Sequence, residues 1–137
     1  MLFSSQVGLA LDIYSNCKND MKTKILDCTI RDGGYLNNWH YSKQMVKDLY
    51  RAVSKSGTDF IEIGFRSSDK YFDPSEMGVW RFTPEELVNE IAGEVAGSPI
   101  ALMLDYGKAD LEDIPLRSES NVSLYRVAVN KTKALEA

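Results

Sequence analysis

Several things are scarce in this sequence, and each scarcity removes a class of function. No apolar run approaches the roughly 20 residues of a membrane-spanning helix, and mean hydropathy is −0.27. There is one histidine, His40, so no histidine-rich metal cluster can be built. The two cysteines, Cys17 and Cys28, suggest neither a disulfide framework nor a Cys-rich zinc site. Cys28 sits in an apolar run and reads as a small buried residue. Lysine and arginine form no block, and 20 acidic against 16 basic residues leave a net charge of −4. Nucleic acid is therefore a poor partner. No glycine-rich loop of the P-loop or dinucleotide type is present. The apolar stretch at residues 7–11 is short, lacks a basic segment before it and runs into Asp12, which makes a poor export signal. The expected location is cytoplasmic, with no membrane partner.

What is present is enough for one domain with a real core: 137 residues, 44% of them apolar. Residues 1–20 read as an N-terminal extension ahead of Met21, and residues 21–137 as the domain. Strands are expected at residues 24–29, 59–64, 100–104 and 123–129. Between the first two, Met45, Val46, Leu49, Tyr50 and Val53 recur at helical spacing. Ser42 stands where a helix N-cap belongs, and Gly57 follows as a stop. A second helix is expected from Thr83, with Pro84 at its first position and Glu86 completing a capping box. Leu87, Val88, Ile91, Ala92 and Val95 form its apolar stripe, and Gly97 closes it. Residues 111–114 allow at most a short helix, and residues 130–137 read as the start of another. Strands alternating with helices predict βα units on a parallel sheet.

The stretch that organises the rest is Ile25-Leu26-Asp27-Cys28-Thr29-Ile30-Arg31-Asp32-Gly33-Gly34-Tyr35. It begins as a strand and ends in two charged residues followed by a Gly-Gly turn. A buried unpaired charge is costly, so Arg31 and Asp32 belong at a mouth. There Asp32 offers a hard oxygen to a divalent cation, and Arg31 offers a fork to an anionic oxygen. A surface Arg-Asp pair leading into a turn accounts for the same residues. The long connection over residues 65–82 is read either as a binding loop over such a site or as a surface decoration.

Residues 27–34 resemble the first-strand signature of the metal-dependent aldolase and lyase superfamily with a pyruvate carboxyltransferase-type domain. That superfamily includes 4-hydroxy-2-oxovalerate aldolases, HMG-CoA lyase and the isopropylmalate and homocitrate synthases. Phe60-Ile61-Glu62-Ile63-Gly64-Phe65 is similar to its second strand. The resemblance implies a TIM barrel, of which about four of eight strands are visible here, the barrel typically needing about 250 residues. The expectation is therefore the N-terminal half of a barrel, with truncation favoured over association of two halves or a different closure.

The resemblance also implies roles. Asp32 would bind a divalent metal, Mn²⁺ or Mg²⁺, and Arg31 would stabilise an enolate. Tyr35 or Glu62 would handle protons. Arg66, Asp105 and Arg126 line the same rim as candidate substrate-binding residues, with Arg126 also expected to pair with a carboxylate. Two departures stand out. Tyr35 occupies the place of a histidine in the hydroxy-oxoacid aldolases, and a phenol is a poorer base than imidazole at neutral pH. The family's His-x-His metal pair from a late strand has no counterpart in this sequence, so the metal site is expected to be incomplete. His40 is a weak substitute base, more simply a packing or surface residue.

The function these features imply is a divalent-metal-dependent carbon–carbon lyase. It would cleave a 4-hydroxy-2-oxo acid, a small-molecule substrate, to pyruvate and an aldehyde. One alternative is a catalytically inactive remnant that acts as a binding or assembly partner, such as a homo-oligomer. Another is a Claisen-type synthase or lyase using an acyl-CoA, disfavoured by Gly34 and Tyr35 after the arginine motif.

Overall fold

The computed structural model describes residues 23–135; the extension expected over residues 1–20 lies outside the described residues. Four strands, β1 (Leu26–Asp27), β2 (Phe60–Phe65), β3 (Ile100–Asp105) and β4 (Val122–Ala128), form one sheet. Every neighbouring pair is parallel, and the order is β1-β2-β3-β4. Among the described residues the order never reverses. A doubly wound sheet reverses at a switch point, whereas a barrel adds each strand on the same side as the last.

Helices pack against one face of the sheet. Helix α1 (Thr29–Gly33) is a single turn, helix α2 runs Lys43–Lys55 and helix α3 runs Glu85–Glu94. Ser42 caps α2 as its position suggested, its hydroxyl accepting the Met45 N–H at 3.1 Å. From α2, Val46 and Tyr50 are buried; from α3, Leu87, Val88 and Ile91. They cluster with Ile61, Ile63, Ile100 and Leu102 from β2 and β3. Burying each such aliphatic side chain stabilises the fold by about 1.5–3 kcal/mol. The Tyr50 hydroxyl keeps a partner by donating to the Ser98 carbonyl at 2.5 Å.

Four local expectations are not met. The first strand covers only Leu26–Asp27, because the Asp27 carboxylate accepts both the N–H and the hydroxyl of Thr29 at 3.0 Å and starts α1 there. Gly33 and Gly34 are not a reversing turn; their φ angles are −60° and −58°, and they carry α1 into a 3₁₀ turn, Gly34–Leu36. The capping box does not form. The Thr83 hydroxyl donates instead to the Trp80 carbonyl at 2.9 Å, and Pro84 occupies the cap position of α3. After β4 the chain makes a 3₁₀ turn at Lys131–Lys133, capped by Asn130, where a helix start was expected.

The register places the site. Glu62 pairs with Ala101, and Phe65 pairs with Met103. Three steps along β2 match two along β3, so a bulge intervenes and turns Phe65 to the same face as Glu62. Met103 pairs in turn with Arg126. Glu62, Phe65 and Arg126 thus share one face, opposite the face covered by α2 and α3.

Candidate active site

The centre of the site is Glu62, whose side chain is 0% exposed. A carboxylate that deep needs partners, and it has two guanidiniums. Arg31 Nε donates to Glu62 Oε2 at 2.6 Å. Arg126 donates twice, Nε to Oε1 and Nη2 to Oε2, both at 2.8 Å. Burial alone would raise the Glu62 carboxyl, but the hydrogen bonds and charges of Arg126 and Arg31 outweigh it and hold the group below the ordinary carboxylate range. Arg31 is held above its ordinary value, desolvation being outweighed by Glu62 and Asp32.

Arg31 also donates through Nη1 to Asp32. Its main chain is fixed as well, since Trp39 Nε1 donates to the Arg31 carbonyl at 2.9 Å. Arg126 Nη2 reaches Cys28 Sγ at 3.7 Å. That thiol is raised, first by burial and then by the charge of Glu62, so Cys28 is a poor thiolate and a packing residue at the foot of the cluster.

The three rim carboxylates differ in access. Asp32 is 58% exposed, Asp105 25% and Glu62 0%. Both oxygens of Glu62 are engaged by arginines, and Asp105 Oδ2 accepts from Arg81 Nη2 at 2.7 Å. Asp32 also accepts from Arg31 but is the most exposed of the three, so it could offer one hard oxygen to a divalent cation, an ion that takes about six ligands. Among the described residues, no group of three or more His, Cys, Asp or Glu side chains converges as a metal cluster.

Of the residues singled out in the sequence, the structure brings Arg31, Asp32, Glu62 and Arg126 together. Tyr35 stands beside them, 63% exposed, with its ring edge-on to Trp39 at 4.8 Å between centroids. Asp105 lies one strand further along, tied to Arg81. Arg66 is elsewhere: its Nη2 donates to Glu85 of α3 at 2.7 Å and lies 3.5 Å from the Tyr125 hydroxyl. Tyr125 alternates with Arg126 along β4, so Arg66 serves the helix-covered face. His40 Nε2 lies 3.2 Å from the Glu76 carbonyl, which places it in the loop framework.

Sequence reasoning missed Arg81 and Trp39 as members of this region. The segment over residues 76–80 is clamped to residues 38–41. Gly78 N–H donates to the Asn38 carbonyl at 2.7 Å, and Trp80 Nε1 donates to the Tyr41 carbonyl at 3.0 Å. No local pattern announces that pairing. The one available signal was the crowding of aromatic residues and arginine in a connection of unusual length.

No family model matches the sequence. The chain is 26% identical over 113 residues to 4-hydroxy-2-oxovalerate aldolase 6 of Rhodococcus jostii (strain RHA1), covering 81% of this chain and 31% of that protein. It is 25% identical over 120 residues to 4-hydroxy-2-oxovalerate aldolase 1 of Nocardia farcinica (strain IFM 10152), covering 84% of this chain and 33% of that one. The chain thus spans about a third of the length of the curated relatives it matches. Among solved structures it superposes on the N-terminal domain of a Bacteroides vulgatus protein assigned as an aldolase, with a TM-score of 0.67 and 29% identity, over 81% of this chain and 37% of that chain. Among the described residues no helix is long and apolar enough to cross a membrane. In sequence and in fold, this chain resembles the N-terminal part of an aldolase.

Proposed function

We propose that this chain supplies the first four strands of a TIM-barrel lyase that cleaves a carbon–carbon bond in a 4-hydroxy-2-oxo acid. The products are pyruvate and an aldehyde. The observation that carries the reading is the buried Glu62 gripping Arg31 and Arg126 on one face of the sheet, with the exposed Asp32 beside them.

In such a cleavage the proton on the C4 hydroxyl leaves, the C3–C4 bond breaks, and its electron pair becomes a pyruvate enolate. The enolate then takes a proton at C3. Arg31 places positive charge beside the developing enolate oxygen, where a preorganised donor is most effective. It arrives already oriented, because Glu62 and the Trp39 indole fix its head and its carbonyl. Glu62, with both oxygens engaged and its carboxyl held low, is a positioning group in this reading. Proton movement at the substrate hydroxyl then falls to Tyr35, the exposed phenol at the rim. Asp32 would be one ligand of a divalent ion, Mn²⁺ or Mg²⁺. Such an ion supplies a Lewis acid for the 2-oxo oxygen and the carboxylate.

The test is pyruvate release by the purified protein from 4-hydroxy-2-oxo acids with Mn²⁺ present. The expected result is metal-dependent turnover, abolished by Arg31→Ala. Absence of turnover across a panel of aldehyde chain lengths would overturn the lyase reading and favour a binding or assembly role.

A further inference from the structure

A second arginine at the same rim is buried by different means. Arg81 closes the 3₁₀ turn Val79–Arg81 and its side chain is 4% exposed. Its guanidinium carbon lies 3.8 Å from the ring centroid of Phe72, 4.0 Å from that of Phe65 and 4.7 Å from that of Trp39. Nη2 donates to Asp105 at the end of β3. Planar guanidinium stacks on ring faces and pairs with a carboxylate at once, which an ammonium cannot do. The backbone closes on the same point, with Ser67 N–H donating to the Arg81 carbonyl at 3.3 Å.

Around this arginine the chain accepts unfavourable geometry. Asn38, Trp39 and Thr83 have φ angles of +51°, +61° and +38°. Three non-glycine residues in the left-handed region are costly, and two of them set the Trp39 ring. Gly78 lets the backbone of Trp39 approach, since a Cβ there would sit 2.0 Å from the Trp39 carbonyl oxygen.

We propose that Arg81 is a positioning residue: it pins the connection over residues 66–82 as a fixed wall of the site and holds Trp39 in place to fix Arg31. The route is continuous. Asp105 and the rings hold Arg81, Arg81 holds the Trp39 ring, and the Trp39 indole holds the Arg31 carbonyl. The consequence for chemistry rests on the lyase reading above; the pinning does not.

Limited proteolysis of the purified protein, read by mass spectrometry at bonds within residues 66–78, measures opening of the connection. Arg81→Met is expected to raise cleavage there about tenfold, since the segment then opens locally. Cleavage unchanged within about twofold in a folded Arg81→Met protein overturns the proposal. Should Arg81→Met not fold, Asp105→Asn keeps every ring contact and removes only the ion pair. A rise of about threefold is expected from it, and no rise overturns the proposal. In pyruvate release, a positioning role lowers kcat and leaves KM within about twofold. A raised KM with kcat held overturns positioning and makes Arg81 a binding group. If the wild type releases no pyruvate, the lyase reading fails alone, and proteolysis still decides the pinning.

Discussion

Arg31 and Arg81 flank the same Phe65 ring, at 5.8 Å and 4.0 Å, yet the protein buries them in opposite ways. Arg31, 11% exposed, is held by the carboxylates of Glu62 and Asp32, and its carbonyl accepts from the Trp39 indole. Arg81 is held mainly by ring faces and by a single carboxylate oxygen. Arg31 also lies against the Cys28 thiol, so its guanidinium is surrounded by polar groups. The Nε of Arg81, by contrast, is without a partner and sealed from solvent. A charge beside carboxylates and solvent can respond to a substrate. A charge packed among rings can only brace what surrounds it. The contrast sets a guanidinium held by carboxylates against one held by rings, both near Phe65.

The harshest way to break that contrast is Glu62→Gln. The substitution keeps the volume and removes the one charge that both Arg31 and Arg126 share. Removing one partner of a buried ion pair costs about 3–5 kcal/mol, and a loss near the lower end is expected because Arg126 is partly exposed. Chemical denaturation at about pH 7 measures it. The pH dependence is a second readout. The Glu62 carboxyl in the folded protein lies below its ordinary value of 4.5. Its contribution to stability is therefore complete above that ordinary value and is lost as pH falls through the lowered folded value. Wild type should lose stability on acidification below about pH 4.5, and Glu62→Gln should lack that component. Equal acid sensitivity in both proteins would remove Glu62 from the centre of the site.

Gly34→Ala is expected to come next, and it tests the bridge between the two arginines. A Cβ at this position would lie 2.1 Å from the Trp39 indole. The ring is packed against Phe65 and Arg81 and has nowhere to go, so overpacking should cost about 1–3 kcal/mol. The thermal midpoint should fall, and protease cleavage within residues 66–78 should rise as it does for Arg81→Met. A fall in stability with that connection still protected would show that Trp39 does not link the two arginines.

How much of this was legible in the sequence follows the range of the forces involved. The helix over Lys43–Lys55 and the apolar stripe of Leu87, Val88 and Ile91 were readable, because amphipathic spacing reflects a local period. The parallel strands were readable from their apolar runs. Arg126 was readable as a candidate partner for a carboxylate, and Glu62 as a carboxylate in need of one. The bulge after Glu62 was not, since it depends on how β3 sits beside β2. Gly33-Gly34 looked like a turn, but Gly34 meets the demand of the Trp39 ring on the next loop. Thr83 looked like a helix cap, but its hydroxyl is claimed by Trp80. Arg81 looked like one more charge in a loop. Each of these residues is determined by a neighbour distant in sequence or folded back by a tight turn, and composition carries no record of that.

The smallest expected effect on stability belongs to Asp32→Ala, and that smallness is the point. Asp32 is more than half exposed, and its pair with Arg31 is at the solvent boundary. Exposed ion pairs contribute little, so unfolding free energy should change by no more than about 0.5 kcal/mol. Arg31 keeps Glu62 and the Trp39 indole, so the architecture around it should stand. What the substitution removes is the most accessible hard oxygen at the rim. Calorimetric titration of the purified protein with Mn²⁺, wild type against Asp32→Ala, separates the two roles. Binding by the wild type that the substitution abolishes at unchanged stability marks Asp32 as a ligand. Binding unaffected by the substitution moves the metal away from this rim, and a large stability loss makes Asp32 part of the brace that holds Arg31.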